Sequence, residues 1–583
     1  MFGSQFSLPA NHQTTVGGVS VITLRVFTTK YLGLLFMQLI RVFLKTISSK
    51  KVLYLFLCAW LVNIVYSYFV LPPSPDDGHY FGAALGFLHK HQTGLYVGDE
   101  FELIYATFPG VSFLNGLFLH IMTLLNIGIN HYTYRLFHMM AIILLLLSTC
   151  YLIYLTCKRD GADYVRGCNI FLVLLAITPF VQMCWAVRPE VLGLLFITIG
   201  LIVYSYLDVR TKFISVQYVL SAMFLGLSMA MHPNFVIIAG LLALFIVILA
   251  IIERQYFTAS SFVFILILPL LVVLAWYLNH CPDSIDELFN GIHRKTRAMP
   301  GGGFIRLIKE AFFLSEWGSV FVKIVYSIFW MPLLLILLSS IILAVKENYS
   351  MVKRNKRTLL LYVFFISSII HLVLNAQATA TYYTITSFIL CFFIAVILSK
   401  RGTLKDIPLT KNKRLVKVIV TFCLLLIITL HSIIHTIKFT VSAEQYYFLP
   451  KAYSDVFEKI NSHDHIFIGE PRLYPLFTEL VDAQYYKQDS NRVYFLTPGI
   501  VSEERTLKIR SFIEKKLKNI SHDSSIWGLS KAKTTFMDKD FKRVKYFLDY
   551  YMGESIFLEI KIKEIVYEDK DNLIVRPILV TIL

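Results

Sequence analysis

Charged residues are scarce in this chain. They make up 16% of its 583 residues, whereas hydrophobic residues make up 56%. Soluble domains contain about a quarter charged residues and about 45–50% apolar ones. The scarcity excludes an ordinary cytosolic enzyme, a disordered chain and a nucleic-acid-binding module. The charge that is present is mostly basic, with a net charge of +17, and lies between long apolar runs. This distribution is typical of a polytopic membrane protein.

The sequence also lacks the usual signatures of metal, disulfide and nucleotide sites. None of its eight cysteines lies after Cys423, and no CxxC pair or zinc-finger spacing occurs. We find no nucleotide-binding glycine fingerprint, internal repeat or low-complexity segment. No cofactor is therefore predicted, and a divalent metal has no support in the residues. The mixed, polar first thirty residues do not resemble a cleavable signal peptide, and residues 31–48 are predicted to form an interfacial helix.

Long apolar runs account for most of the chain. A bilayer core needs roughly 20 apolar residues per helix. Twelve segments approach that length: 52–71, 104–128, 132–157, 169–187, 190–207, 213–231, 234–252, 261–279, 322–344, 358–375, 382–399 and 416–438. They predict a cytoplasmic or interfacial segment (1–50), a transmembrane module (51–440) with polar loops at 72–103 and 280–321, and a soluble domain (441–583).

Two basic loops predict the orientation of the module. Residues 346–357 and 400–417 each carry a cluster of Lys and Arg with a single acid, so both are expected in the cytoplasm. Loops 72–103 and 280–321 and the tail then lie outside. Twelve crossings would instead return the tail to the side of the N-terminus. Eleven or thirteen crossings would fit the charges. Segments 169–187 and 190–207 are the pair most in doubt as two separate crossings.

The tail changes composition abruptly. Compact apolar runs predict strands at 465–469, 493–496, 556–562 and 573–575. Helical spacing with many charges predicts helices at 451–462, 502–518 and 536–551. The expected fold class is an α-helical polytopic membrane protein with a C-terminal soluble α/β or α+β domain.

The first outer loop contains an acidic pair, Asp76-Asp77, directly after a proline-rich stop to the first helix. Adjacent carboxylates repel each other, so one can keep a raised pKa suited to a general base. His79 and Tyr80 follow, and Tyr105 precedes the next helix on the same side. The alternative for the acids is a solvated turn, and for Tyr105 an ordinary helix start.

Arg188-Pro189-Glu190 is a charged element inside an apolar region. Ionisable residues at membrane depth are costly and usually face a cavity or a partner. Residues two apart on a helix do not face each other, which favours an anionic phosphate over Glu190 as the partner of Arg188. A snorkelling Arg188 paired with Glu190 at the interface is the alternative.

Two further elements could contact an anionic substrate. A basic run beside the glycines at 301–303 suits a lid over a headgroup, or simply a flexible connector; it comprises His293, Arg294, Lys295 and Arg297. Tyr382 and Tyr383 open a late helix on the outer side, where tyrosines are also common interface anchors.

Together these motifs resemble GT-C glycosyltransferases that use polyprenyl-phosphate sugars, in particular the protein O-mannosyltransferase and lipid A aminoarabinose transferase branch. Asp76-Asp77 with Tyr80, Arg188-Pro189-Glu190, and Tyr382-Tyr383 match that branch in order and spacing. Two positions depart from it. Asp77 stands where Glu is usual, and Thr381 stands where a basic residue is common.

The resemblance implies an inverting sugar transfer at the outer face of a membrane, with a bacterial inner membrane as our expectation. Asp76 and Asp77 would be catalytic, and the remaining motif residues would bind donor or acceptor. The implied partners are the bilayer, a polyprenyl-phosphate-linked sugar and a glycan, lipid or protein acceptor, with no nucleic acid. The alternatives are a transporter or flippase, whose path the same charges would line, and a structural or assembly protein.

Overall fold

The computed structural model describes residues 46–70, 109–184, 186–206, 216–280, 320–351, 356–374 and 383–400. It also describes Asp77, Tyr80, Phe81, Ala84 and eight short strands. The predicted helix 31–48 falls almost entirely outside these residues. So do the apolar segment 416–438 and the three helices predicted in the tail.

Eleven α-helices lie in the part of the chain that the structure describes. They are α1 (Lys50–Val70), α2 (Pro109–Leu124), α3 (His131–Arg159), α4 (Tyr164–Ala176), α5 (Pro189–Tyr206), α6 (Val216–Met231), α7 (Pro233–Ile252), α8 (Tyr256–His280), α9 (Val320–Met351), α10 (Lys356–Leu374) and α11 (Thr384–Lys400). Each coincides with one of the apolar segments predicted from the sequence.

Segment 169–187 is not one continuous α-helix. Its α-helix, α4, stops at Ala176, and a 3₁₀ helix continues from Pro179 to Cys184. Pro179 explains the break, because proline offers no N–H to the helix and disfavours helical backbone in the residue before it. A second break follows at Arg188, before α5 begins at Pro189.

The helices differ in their reach across a bilayer. Within the described residues, four are long and apolar enough to span one: Lys50–Phe69, Tyr132–Arg159, Pro233–Ile252 and Tyr256–Ala275. The other helices contain shorter apolar stretches, of 10–17 residues. The number of crossings therefore stays a prediction.

Helix α11 is the centre of the bundle. Every residue from Thr384 to Ile397 is buried, so the helix is enclosed on all sides. It packs against α3, α4, α9, α10 and the 3₁₀ helix. Such all-round burial fits a helix with apolar residues on every face.

Small residues bring α5, α6 and α8 into close contact. A Cβ at Gly226 of α6 would lie 2.2 Å from the carbonyl oxygen of Leu266 in α8, so only glycine fits there. The hydroxyls of Ser221 and Ser228 donate to the carbonyls of Gly200 and Gly193 in α5, at 3.0 and 2.9 Å. Small residues and hydroxyl bonds of this kind are the usual means of association between helices in lipid.

Large apolar side chains also cover the outside of the bundle. Ile252, Phe264 and Ile342 are each more than half exposed, and many other Leu, Ile and Phe side chains accompany them. Exposure of so extensive an apolar surface to water is unfavourable, whereas the acyl chains of a bilayer can cover it.

The tail contains a mixed sheet. Its strands are β3 (His465–Ile468), β4 (Val493–Leu496), β5 (Ser525–Gly528), β6 (Glu559–Ile562), β7 (Tyr567–Glu568) and β8 (Ile574–Thr581). The order is β4-β3-β5-β8-β6, with β7 also paired to β8. β4, β3 and β5 run parallel, and β8 is antiparallel to β5 and β6. Parallel neighbours need long crossovers, which fits the predicted α/β or α+β domain.

A small hairpin was not predicted. In the first outer loop, β1 (Leu95–Val97) pairs antiparallel with β2 (Phe101–Leu103). β1 lies beside β4 of the tail sheet. The loop and the tail therefore meet, as expected if both lie on one side of the membrane.

Candidate active site

The segment that follows the acidic pair has helical backbone at every described position. Asp77, Tyr80, Phe81 and Ala84 are separated by the spacing that places residues on one helix face. Asp77, Phe81 and Ala84 are buried, and the ring of Phe81 lies 4.8 Å from that of Tyr134 in α3. This face of the segment is packed on the transmembrane bundle.

Asp77 is a buried anchor between distant parts of the chain. Its Oδ1 accepts a hydrogen bond from the backbone N–H of Val187 at 2.5 Å. Its Oδ2 lies 3.8 Å from Nε of Arg135 in α3. Asp77 is fully buried and Arg135 is 3% exposed, so the ion pair is shielded from water. A solvated turn, the alternative reading of the acidic pair, does not describe Asp77.

Arg135 also ties the end of α1 to this cluster. Its guanidinium donates to the carbonyl of Tyr68 at 3.1 Å and to that of Ser67 at 3.4 Å. It lies over the ring of Tyr68, 5.6 Å from the centroid. The last carbonyls of a helix carry partial negative charge, so they complement the cation.

Arg188 and Glu190 form a buried bidentate ion pair. Nε of Arg188 lies 3.1 Å from Oε2 of Glu190, and Nη2 lies 2.8 Å from Oε1. Our argument that the two residues cannot face each other is wrong. Because α5 begins at Pro189, Arg188 precedes the helix and its side chain can turn back onto Glu190. The pair is also deeply buried, so a snorkelling arginine is not an adequate description.

Two buried histidines lie in the transmembrane bundle, and neither was predicted from the sequence. Nε2 of His138 in α3 lies 3.1 Å from the carbonyl oxygen of Met183 in the 3₁₀ helix. Nδ1 of His371 in α10 lies 3.3 Å from the hydroxyl of Thr386 in α11. Ionisable groups inside predicted spans were the signal that could have identified these histidines and Arg135.

The opposite end of the bundle holds a separate set of contacts. Asn169 donates to the carbonyl of Ile47 at 2.6 Å, just before α1. The backbone N–H of Asp163 donates to the carbonyl of Ser399, and Lys400 pairs with Asp160 at 2.5 Å. Burial alone would raise the pKa of Asp160, but hydrogen bonds from Lys400 and Arg159 outweigh it and lower that pKa.

These two sets of contacts lie at opposite ends of α1. The helix has 21 residues, which corresponds to about 32 Å. Ser67 and Tyr68 at its end contact Arg135, whereas Ile47, just before its start, contacts Asn169. The acidic cluster is therefore about one bilayer thickness away from the end that contains Lys400.

The structure brings together some of the predicted site residues. Asp77 and Arg188 come together because Asp77 bonds to Val187, the residue before Arg188. Tyr80 packs against the core, and Tyr383 is fully buried at the start of α11. The other predicted residues fall outside the described part of the chain: Asp76, His79, Tyr105, His293, Arg294, Lys295, Arg297 and Tyr382.

Metal ligands do not cluster in the part of the chain that the structure describes. No group of three or more His, Cys, Asp or Glu side chains is placed there to hold a metal ion. The arrangement is instead one of paired charges and buried imidazoles that hydrogen-bond to a carbonyl and a hydroxyl. Such a cluster can hold an anion, orient a nearby carboxylate and exclude water.

Comparison with solved structures identifies the architecture. Crystal structures of ArnT from Cupriavidus metallidurans, one bound to undecaprenyl phosphate and one in the apo state, both align with a TM-score of 0.52. The bound form is 12% identical and the apo form 11%, and each alignment covers 90% of this chain and 97% of ArnT. The chain has the fold of ArnT. The predicted GT-C-like membrane fold is thereby confirmed.

A second solved protein aligns less well. The apo oligosaccharyltransferase of Archaeoglobus fulgidus matches with a TM-score of 0.48 and 11% identity, over 87% of this chain and 72% of that one. At this score the likeness supports no conclusion. The sequence itself matches no protein-family model and no curated protein.

Proposed function

We propose that the protein transfers a sugar from a polyprenyl-phosphate-linked donor to an acceptor at the face of the bundle that contains Asp77. The observation that carries the proposal is the hydrogen bond from Val187 to Asp77. It joins the acidic pair to the Arg188–Glu190 pair, so a carboxylate and a cation lie near one another at one end of the bundle. Sugar transfer from a phosphate requires this combination: a base for the acceptor and a positive group for the leaving phosphate.

Asp76 is the general base in this mechanism. Both oxygens of Asp77 already have partners, one in Val187 and one in Arg135. Asp77 therefore anchors the segment, and Asp76, the residue before it, accepts the proton of the acceptor hydroxyl. The hydroxyl oxygen then attacks the anomeric carbon from the side opposite the phosphate, and the configuration inverts.

Arg188 stabilises the leaving group. When the bond between the anomeric carbon and the phosphate oxygen breaks, the lipid phosphate takes the electron pair and gains negative charge. One N–H on Nε and one on Nη2 of the Arg188 guanidinium donate to Glu190. Glu190 fixes the orientation of the guanidinium, as a carboxylate partner does in a preorganised site. ArnT, which has the same fold, was crystallised with undecaprenyl phosphate.

Charge distribution supports an outer active site. Lys400 opens the basic segment 400–417, which we expect in the cytoplasm. The acidic cluster lies at the other end of the bundle. The chemistry therefore takes place on the extracytoplasmic side, in the bacterial inner membrane that we propose as its location, where the tail domain also lies.

The direct test uses the purified full chain in proteoliposomes with radiolabelled undecaprenyl-phosphate sugars. Transfer releases sugar-free undecaprenyl phosphate and moves the label to an acceptor, or to water in slow hydrolysis. A transporter or flippase would move intact labelled lipid across the bilayer without cleavage. Movement without cleavage would overturn the proposal.

A further inference from the structure

His371 is a buried histidine near the end of α10, and the proposed mechanism does not use it. It is 1% exposed and lies one turn before α10 ends at Leu374. Its side chain faces the first turns of α11, where it contacts Thr386. Both residues lie close to the connection that precedes Tyr383.

The hydrogen bonds of Thr386 determine which nitrogen of His371 carries the proton. Thr386 Oγ1 donates its only proton to the carbonyl of Ser368 at 3.3 Å. It can therefore only accept from His371, and Nδ1 of His371 must be the protonated nitrogen of a neutral imidazole. Nε2 is then an acceptor with a lone pair.

This acceptor has no hydrogen-bond partner among the residues that the structure describes. Buried polar atoms in native proteins nearly always have a partner, and an exception calls for an explanation such as a ligand. The other buried histidine, His138, differs in this respect, because its Nε2 hydrogen-bonds to the carbonyl of Met183.

The chemistry of Nε2 determines which ligand groups can hydrogen-bond to it. Nε2 carries a lone pair, so a phosphate oxygen, which is itself only an acceptor, cannot form a hydrogen bond with it. An O–H donor can.

We propose that Nε2 of His371 accepts a hydrogen bond from a hydroxyl of the sugar on the lipid-linked donor. This inference rests on the proposed function, because the sugar is the hydroxyl-bearing part of that donor. It divides the recognition of the donor between two residues. Arg188 binds the phosphate, and His371 selects the sugar. A site built to bind a hydroxyl discriminates strongly against a ligand that lacks one.

The test compares undecaprenyl phosphate with lipids that carry a sugar on this phosphate, which also changes the phosphate from a monoester to a diester. Affinities of the purified full chain are measured for undecaprenyl phosphate and for a panel of undecaprenyl-phosphate glucose, mannose and galactose. For the wild type, we expect the best sugar-bearing lipid to bind about tenfold more tightly than undecaprenyl phosphate, the gain expected for one added hydrogen bond.

Three substitutions of His371 test the roles of its two ring nitrogens separately. His371→Asn keeps a donor near Nδ1 for Thr386 and removes the acceptor at Nε2. His371→Phe removes both but preserves the shape, and His371→Gln keeps an acceptor near the position of Nε2. We expect Asn and Phe to weaken binding of the best sugar-bearing lipid about tenfold relative to the wild type, with the affinity for undecaprenyl phosphate unchanged. Gln should retain part of the preference.

The outcomes distinguish this inference from the function on which it rests. A wild type that binds neither lipid overturns the proposed function, and this inference with it. A wild type that binds all the lipids equally leaves the function standing and shows that Nε2 bonds a buried water instead. Equal weakening of both lipid classes by Asn and Phe, with thermal unfolding unchanged, would also contradict the assignment, because it would place His371 at the phosphate.

Discussion

Asp77 accepts a hydrogen bond from the backbone N–H of Val187, 110 positions further along the chain. The bond ties the loop after the first helix to the segment that presents Arg188. Because the partner is a backbone N–H, substitutions at Val187 cannot easily remove it. The geometry of the site therefore depends on the carboxylate of Asp77 and on the ion that balances it, Arg135.

Removal of the Asp77 carboxylate should destabilise the protein. Asp77→Ala leaves the buried Arg135 without its anion, and breaking a buried pair from one side costs about 3–5 kcal/mol. Asp77→Asn keeps an oxygen for the N–H of Val187 and should cost less. Thermal unfolding of the purified proteins in detergent measures both.

The matched control is a neutral pair, Asp77→Asn with Arg135→Met. If the two charges are coupled, the double variant should lose less stability than the sum of the two single variants; it should not recover fully, because Arg135 also donates to the carbonyls of Tyr68 and Ser67. Additive losses in the double-mutant cycle would show that the two residues are not coupled.

Substitutions at Arg188 and Glu190 should affect the stability of the protein and its transfer activity differently. Arg188→Met leaves a buried, unpaired Glu190 and should lower the stability of the protein by about 3–5 kcal/mol. The double change Arg188→Met with Glu190→Gln should restore stability but not sugar transfer, because the phosphate contact is still missing. Arg188→Lys should restore transfer only in part, since lysine lacks the planar fork. Full transfer by the neutral double variant would exclude Arg188 from the leaving-group site.

The orientation can be checked by labelling single introduced cysteines with an impermeant maleimide on intact cells. Ser74→Cys, near Asp77, and Ser490→Cys, in the tail, should react from outside. Asn355→Cys and Thr410→Cys, in the two basic loops, should react only after permeabilisation. Labelling of Asn355→Cys in intact cells would reverse the proposed topology.

The ion pair between Asp160 and Lys400 should make stability depend on pH. The lowered pKa of Asp160 means that the folded state holds this proton less tightly than the unfolded state. The contribution is therefore complete above the usual pKa of an aspartate, about 3.9, and is lost as pH falls through the lower folded value. We expect Asp160→Asn to remove about 1 kcal/mol or less at neutral pH, because the pair is only partly buried. Unfolding curves of the wild type and the variant should differ at neutral pH and converge at acidic pH.

Hydropathy predicted most of the membrane fold, because a lipid-immersed helix must be apolar over a fixed length. Hydropathy and residue alternation fail to predict an element where tertiary contacts determine its structure. Pro179 splits one predicted span into α4 and a 3₁₀ helix. In the tail, β5 has only four residues, Ser525–Gly528, and no alternation that distinguishes it from a loop. It is a strand because β3 and β8 pair with it on either side.

The sequence motifs predicted candidate site residues, but they did not predict which residues pair with one another. Asp77 and Arg188 were selected because charges beside apolar segments are costly. Their actual partners depend on the fold: Arg135 comes from another helix, and Glu190 is reachable only because Arg188 precedes α5. His138 and His371 went unselected because single histidines in apolar helices are common core residues. Only the packed structure shows that both are buried and hydrogen-bond to polar groups of other elements.

The most direct test of the account is sugar transfer by Asp76→Asn beside the wild type and Asp77→Asn. The wild type should release undecaprenyl phosphate from a radiolabelled undecaprenyl-phosphate sugar. Loss of the general base should slow this release by about 10²–10⁴-fold in Asp76→Asn, with folding and membrane insertion intact. Asp77→Asn should retain more activity, since Asp77 positions the segment. Wild-type rates in a folded Asp76→Asn protein would contradict the account.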